Sequence, residues 1–210
     1  MGTRNYPVAA AFALIFIWTA AFQYPALAAT EPDIDDLTRI SDYLNGIETL
    51  EGRFIQVAPN GVQNQGKFYL RRPGRLRFEY DDPNPITIVS DGTWVTLTDR
   101  KLKTVDRYPL SATPLKLLLK KNVNLAKDAK IIEIARDLGS LSVTAREDNG
   151  SAQGELTLVF AAPRLELMQW IITDAQGFTT TVALLNLRRD TKISPSLFVA
   201  RDINPFDRNR

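Results

Sequence analysis

The chain has no cysteine and no histidine. Without cysteine there is no disulfide, no thiolate chemistry and no cysteine-ligated metal. Without histidine the Ser-His-Asp and Cys-His hydrolytic sites fall away, together with the commonest zinc sites. Neither sign of charge is in excess: 26 Lys and Arg face 24 Asp and Glu, a formal net charge of +2, so there is no electrostatic footprint for nucleic acid. A glycine-rich phosphate loop, an internal repeat, a low-complexity block and an interdomain linker are also missing. What is present is an ordinary globular composition, 210 residues with 44% hydrophobic and 24% charged, enough for one domain with a sizeable core.

The one long hydrophobic run opens the chain. Arg4 is the only charge in residues 1–28, Val8 to Phe22 is almost unbroken apolar sequence, and Ala26-Leu27-Ala28 supplies a small-x-small cleavage site. The run is shorter than the ~20 residues of a spanning helix. Residues 1–28 therefore read as a signal peptide cleaved near Ala28, and residues 29–210 as a single exported, soluble domain. With no cysteine after the cleavage site, a lipid-anchored product is excluded. Losing Arg4 removes one charge from the formal +2 and leaves a nearly balanced mature surface.

Beyond the leader, Glu31 to Leu50 predicts a helix. Pro32 suits its first turn, acids at 33, 35 and 36 complement the dipole, and Ile34, Leu37, Ile40, Leu44 and Ile47 form an apolar stripe. Strands follow at 51–58, 65–71, 75–80, 86–90, 93–98 and 103–108, separated by Pro, Gly, Asn and Asp turns. A second helix, short and leucine-dense, is predicted over 113–121, with Thr113 as N-cap and Pro114 at N1. It reads as a plug or lid over the sheet. Further strands are expected at 131–136, 141–146, 155–160, 165–173 and 178–187, with weak alternation over Val182–Leu187, and a last short strand at Leu197–Val199. About ten short strands with few helices imply an antiparallel barrel or a strongly curved sheet.

Residues 66–80 organise this pattern. Two alternating strands meet at Pro73-Gly74. Phe68, Leu70 and Arg72 share one face of the first, and Leu76, Phe78 and Tyr80 are the apolar positions of the second. With Phe54, Ile88 and Val95 they would make a wide apolar concavity, either the core under the first helix or the wall of a ligand site, with Leu115, Leu118 and Leu119 of the short helix facing it. Arg72 is the oddity, because its parity puts a guanidinium on the apolar side, where an unpaired charge is costly. It either snorkels to solvent beside Pro73 or donates to the free carbonyls at the end of the lid helix. Arg71, Arg75 and Arg77 read as a solvated outer face. Catalytic constellations are thin: Asp35/Asp36 and Asp81/Asp82 fall at a helix start and in a proline turn, where capping and turn duties account for them.

Several stretches, in order, resemble one family. They are Leu50-Glu-Gly-Arg-Phe-Ile-Gln56 after an amphipathic helix, Gly66-x-Phe-x-x-x-Arg72-Pro73 with Leu-Arg-Phe-Glu-Tyr80, Ile88-Val-Ser-Asp-Gly92, and Thr113-Pro-Leu-x-Leu-Leu119. With the signal peptide and Phe198 near the C-terminus they are similar to the periplasmic outer-membrane lipoprotein carrier proteins, LolA. The resemblance implies an incomplete antiparallel β-barrel covered by short helices, with a hydrophobic cavity for lipoprotein acyl chains. It implies a periplasmic monomer that takes lipidated proteins from an inner-membrane ATP-driven release complex and delivers them to an outer-membrane acceptor. The resemblance also implies no enzymatic chemistry, no metal and no cofactor, and no nucleic acid is expected as a partner. The position of Arg72 is the one that, in the family, ties the lid helices to the barrel. This chain departs from the family in the less aromatic second strand, with Leu76 and Tyr80. Two other functions remain on the sequence alone: an envelope lipoprotein sensor built on the same half-barrel, and a carboxylate-dependent envelope hydrolase.

Overall fold

The computed structural model describes residues 34–147 and 154–200. The leader with its Ala28 site, residues 31–33 of the first helix, the Asp148-Asn149-Gly150 turn and the tail from Asn204 lie outside them. The first helix, α1 (Ile34–Asn45), buries Leu37, Ile40 and Leu44. It stops five residues before the expected end at Leu50. Gly46 N donates to Asp42 O at 2.9 Å and Ile47 N to Leu44 O at 3.1 Å, closing the last turn. Ile47 and Leu50 are still buried, but from an extended segment. A three-residue spacing across a helix–strand junction looks helical in sequence, and this is why the predicted helix ran on.

Eleven strands follow: β1 (Thr49–Val57), β2 (Gln63–Arg71), β3 (Arg75–Tyr80), β4 (Ile86–Asp91), β5 (Trp94–Asp99), β6 (Thr104–Pro109), β7 (Ala129–Asp137), β8 (Ser140–Glu147), β9 (Glu155–Ala161), β10 (Glu166–Thr173) and β11 (Thr179–Arg189). They form one antiparallel sheet in the order β6-β5-β4-β3-β2-β1-β11-β10-β9-β8-β7. Two meanders are thus joined through the β1–β11 pair, and the sheet stays open, with β6 and β7 as its edges. The segment between those two edge strands carries the remaining helices, so the lid is the connection that spans the gap in the sheet. Closing the sheet by strand pairing would have removed both edges; here helices cover the opening instead.

The weak alternation over Val182–Leu187 has a local cause. The β1–β11 register slips between Glu51 and Arg53, which pair with Arg188 and Leu185, and Asn186 takes a positive φ of 53°. A bulge of this kind adds a residue and breaks the period of two. The expected strand at Leu197–Val199 is instead a 3-10 turn, Pro195–Phe198, whose N-cap Ser194 accepts from Ser196 N. Pro195 lacks the N–H a ladder needs and pre-sets φ for a turn. Phe198 is buried on the outer side of the sheet against β3 and β4. Arg77, expected in a solvated row with Arg71 and Arg75, donates to Leu197 O at 3.1 Å and pairs with Glu79 at 2.6 Å. It anchors the C-terminal segment.

The lid also differs in detail from the predicted helix over 113–121. A 3-10 turn (Leu110–Ala112) precedes α2 (Leu115–Leu119), and α3 (Leu125–Asp128) follows. Pro114 is the N-cap of α2 and makes no side-chain capping bond. Thr113 closes the preceding turn, its Oγ1 donating to Leu110 O at 2.9 Å. The four residues of α3 are too few to show a helical period; its one local signal is Asn124, which caps it by accepting from Lys127 N.

Candidate functional site

The inner face of the sheet alternates as the sequence requires. Phe68 and Leu70 of β2 stand opposite Phe78 and Leu76 of β3, and all four are buried. Phe54 and Phe68 are fully buried, at 0% exposure. Phe54 meets Phe78 and Tyr80 edge-on, with ring centroids 4.8 and 5.1 Å apart. Ile88 and Val95 are only partly buried and lie at the margin of the same cluster. From the lid, Leu117, Leu118 and Leu119 are buried in this cluster, and Leu115 packs against it half-exposed. The structure therefore holds the apolar wall and the lid in contact, as one core.

Trp170 was not anticipated. Its ring lies 6.3 Å from Phe68 and 6.0 Å from Phe78, both edge-on, which ties the β10 side of the sheet to the β2–β3 side. The parity that would have marked it is scrambled by a register shift between Leu167 and Gln169. Tyr80 completes the group. Its hydroxyl donates to Gln56 Oε1 at 2.6 Å, and burial pushes its pKa from 10.0 up to about 12. Unfolded tyrosine ionises at the lower value, so this stabilisation is whole below pH ~10 and is lost as the pH rises through ~12. We expect the wild type to lose about 2–3 kcal/mol more than Tyr80→Phe across that window, measured by denaturant titration at each pH. Parallel pH profiles for the two proteins would contradict this account of Tyr80.

Arg72 follows β2 on the same face as Phe68 and Leu70. Its Nε donates to Lys120 O at 2.9 Å. Nη2 reaches the same carbonyl, and Nη1 donates to Leu44 O. Leu44 lies in the last turn of α1 and Lys120 is the C-cap of α2, so one guanidinium bridges carbonyls at two helix ends, adding a second donor to Leu44 O. Burial lowers the Arg72 pKa from its ordinary value; the group remains a cation, because arginine titrates so far above neutrality. The turn after it adds a backbone bond, Gly74 N to Leu119 O at 2.8 Å. Gly74 has a φ of +75°, and a Cβ there would sit 2.6 Å from the Gly92 Cα, so only glycine fits this close approach.

Two polar side chains on α1 hold the lid from the other side. Asn45 donates to Val123 O and accepts from Val123 N, both at 2.8 Å. Ser41 Oγ accepts from Leu125 N at 3.1 Å. Neither residue stood out in the sequence, because both fall on polar positions inside the helix predicted to run to Leu50, and their partners at Val123 and Leu125 are some eighty residues away. The acid pairs have structural duties here. Asp36 is buried and pairs with Arg39 at 3.0 Å and with Arg136 of β7 at 2.7 Å, and Asp81 pairs with Arg53.

An open antiparallel half-barrel with an apolar inner face, covered by short helices that an arginine ties to its rim, defines a class of lidded half-barrel folds. Residues 45–201 match the family model described as outer membrane lipoprotein carrier protein LolA, and the chain belongs to that family. It is 30% identical over 193 residues to an outer-membrane lipoprotein carrier protein of Methylibium petroleiphilum, covering 87% of this chain and 91% of that one. It is 29% identical over 195 residues to the protein of the same description from Xanthomonas oryzae pv. oryzae, covering 86% and 88%. Among solved structures, a DUF1329 family protein from Desulfovibrio piger superposes with a TM-score of 0.52 at 12% identity, over 79% of this chain and 95% of that one. At that identity the likeness speaks for the fold alone. Among the described residues no helix is long and apolar enough to cross a membrane.

Proposed function

We propose that this protein is a periplasmic carrier that shields the acyl chains of lipoproteins under its lid, receiving them from an ATP-driven inner-membrane release complex and passing them to an outer-membrane acceptor. The observation that carries this reading is the Arg72 clasp. A half-buried guanidinium tied to carbonyls of two helix ends at the rim of an apolar face is a set of separable contacts, which suits a lid over a face that must open and close. Each buried CH₂ contributes about 0.8 kcal/mol, so even part of an acyl chain outweighs hydrogen bonds of ~1–3 kcal/mol each. Cargo would thus hold the lid open, and the clasp would favour its return. The relatives named as lipoprotein carriers support the same reading.

The test is mass spectrometry of the protein purified from the envelope. Copurified lipidated peptide is expected, together with loss of a photoactivatable diacylglyceryl probe from the protein when Phe68 or Phe78 is replaced by a charged residue. A lipid-free preparation that also fails to crosslink the probe would refute the carrier function.

A further inference from the structure

Arg71 and Arg75 flank the Pro73-Gly74 turn and are paired directly across β2 and β3. Their neighbours Leu70 and Leu76 are buried inward, so both guanidiniums point to the outer face, close to one another. Like charges opposed in a ladder destabilise it, and although Glu48 and Asp190 lie beside Arg71 and Asp91 stands opposite Arg75, none of these carboxylates pairs with either arginine. Neither arginine has an ion-pair partner among the described residues. Asp91, opposite Arg75 on β4, spends one carboxylate oxygen on Thr93 N and Trp94 N, both at 2.8 Å. Thr49, opposite Arg71 on β1, donates its hydroxyl to Thr191 O at 2.9 Å. Arg77, two residues further along β3, shows the contrast, with its own carboxylate and carbonyl acceptors.

Beside Arg71 lies a groove of about 330 Å³, walled by Glu48, Thr49 and the returning segment Asp190–Ile193. Lys192 adds a third cation there, and Thr191 Oγ1 is buried with no hydrogen-bond partner. A discrete carboxylate fits this setting, because guanidiniums bind carboxylates in a bidentate fork. A flat array of anionic headgroups would have to face Glu48 and Asp190 together with the arginines, whereas a single side-chain carboxylate can reach the guanidiniums alone. We propose that Arg71 and Arg75 form a docking site for an acidic, aspartate- or glutamate-bearing segment of a protein partner. The site sits on the outer shoulder of the hairpin whose turn bonds the lid through Arg72 and Gly74, so a partner seated there stands next to the clasp. The proposal goes beyond the carrier reading and does not depend on it: a peptide titration reads the one, copurified lipid the other.

The test titrates the full-length mature protein with hexaglutamate peptide by calorimetry, at low salt and again near 0.15 M, where charges are screened beyond ~8 Å. The Arg71→Gln/Arg75→Gln protein is expected to bind at least ~10-fold more weakly than wild type, a change worth about 1.4 kcal/mol. Lys101→Gln/Lys103→Gln, which removes the same charge from a different turn, should bind as wild type does. The arginine variant should melt no lower than wild type, since it relieves a like-charge pair, and this keeps a binding loss from being read as unfolding. Equal loss in both double variants would mean a diffuse charge effect and overturn the site. Undiminished binding by the arginine variant would do the same, as would arginine-dependent sedimentation with phosphatidylglycerol vesicles in the absence of peptide binding.

Discussion

Arg72→Leu is expected to yield a protein that takes up acyl chains and passes them on poorly. The substitution leaves the carbonyls of Leu44 and Lys120 without the guanidinium that bridges them, while an added leucine suits the apolar face. Charge-assisted bonds of this kind contribute about 1.5–3 kcal/mol each. If ~3 kcal/mol of that favours the closed, empty state, its loss shifts the balance toward the loaded state by roughly 100-fold. The measurement is transfer of a lipoprotein from the carrier to an acceptor in a reconstituted system, with retained cargo quantified beside it. Arg72→Lys should recover part of the transfer, since a lysine keeps the charge but cannot fork between two helix ends. Wild-type transfer by the leucine variant would remove the clasp from the mechanism. The carrier reading would then rest on the apolar face alone.

Trp170→Ala should produce the largest loss of stability of any single truncation in the inner face. The residue is at 1% exposure and packs edge-on against both Phe68 and Phe78. Large-to-small changes at such positions cost about 3–5 kcal/mol, from lost transfer energy and the cavity left behind. For a domain of this size that corresponds to a fall in Tm of roughly 6–20 °C, and the same shift should appear in the denaturant midpoint with little change in slope. A loss under about 1 kcal/mol would mean that the aromatic cluster repacks freely, and that the inner face is softer than its contacts imply. Bound acyl chain should partly restore the midpoint, because a ligand of the folded state stabilises it by mass action.

The outcome at particular residues shows where sequence and tertiary structure divided the work. Phe54, Phe68, Leu70, Leu76, Phe78 and Tyr80 lie on the side their parity assigned, because a strand has only two faces and a one-residue slip would expose the whole set. The hinge at Pro73-Gly74 follows from the same local chemistry, a proline that pre-sets one turn position and a glycine that takes a positive φ. Ile88 and Val95, with the same kind of alternation, end at the margin of the core. Distance from its centre depends on where strands lie in the sheet, which alternation does not record. The helix predicted to Leu50 and the strand predicted at Leu197–Val199 failed for a related reason, since a few apolar residues at short spacing fit more than one local structure until the rest of the fold supplies partners.

The features legible in the chain alone were therefore local: an exported-looking leader, the absence of thiol and imidazole chemistry, the sidedness of each strand, and a charge at position 72 on an apolar face. The tertiary structure decided which carbonyls Arg72 meets, that Asn45 and Ser41 hold the lid from α1, that Trp170 bridges the two halves of the sheet, and that Arg71 and Arg75 stand opposed while Arg77 is spent on the C-terminal segment. The reason is physical. Side-chain direction along a strand is set by backbone geometry within two residues, whereas hydrogen-bond partners come from segments tens of residues away, and only the closed chain brings their free donors and acceptors together.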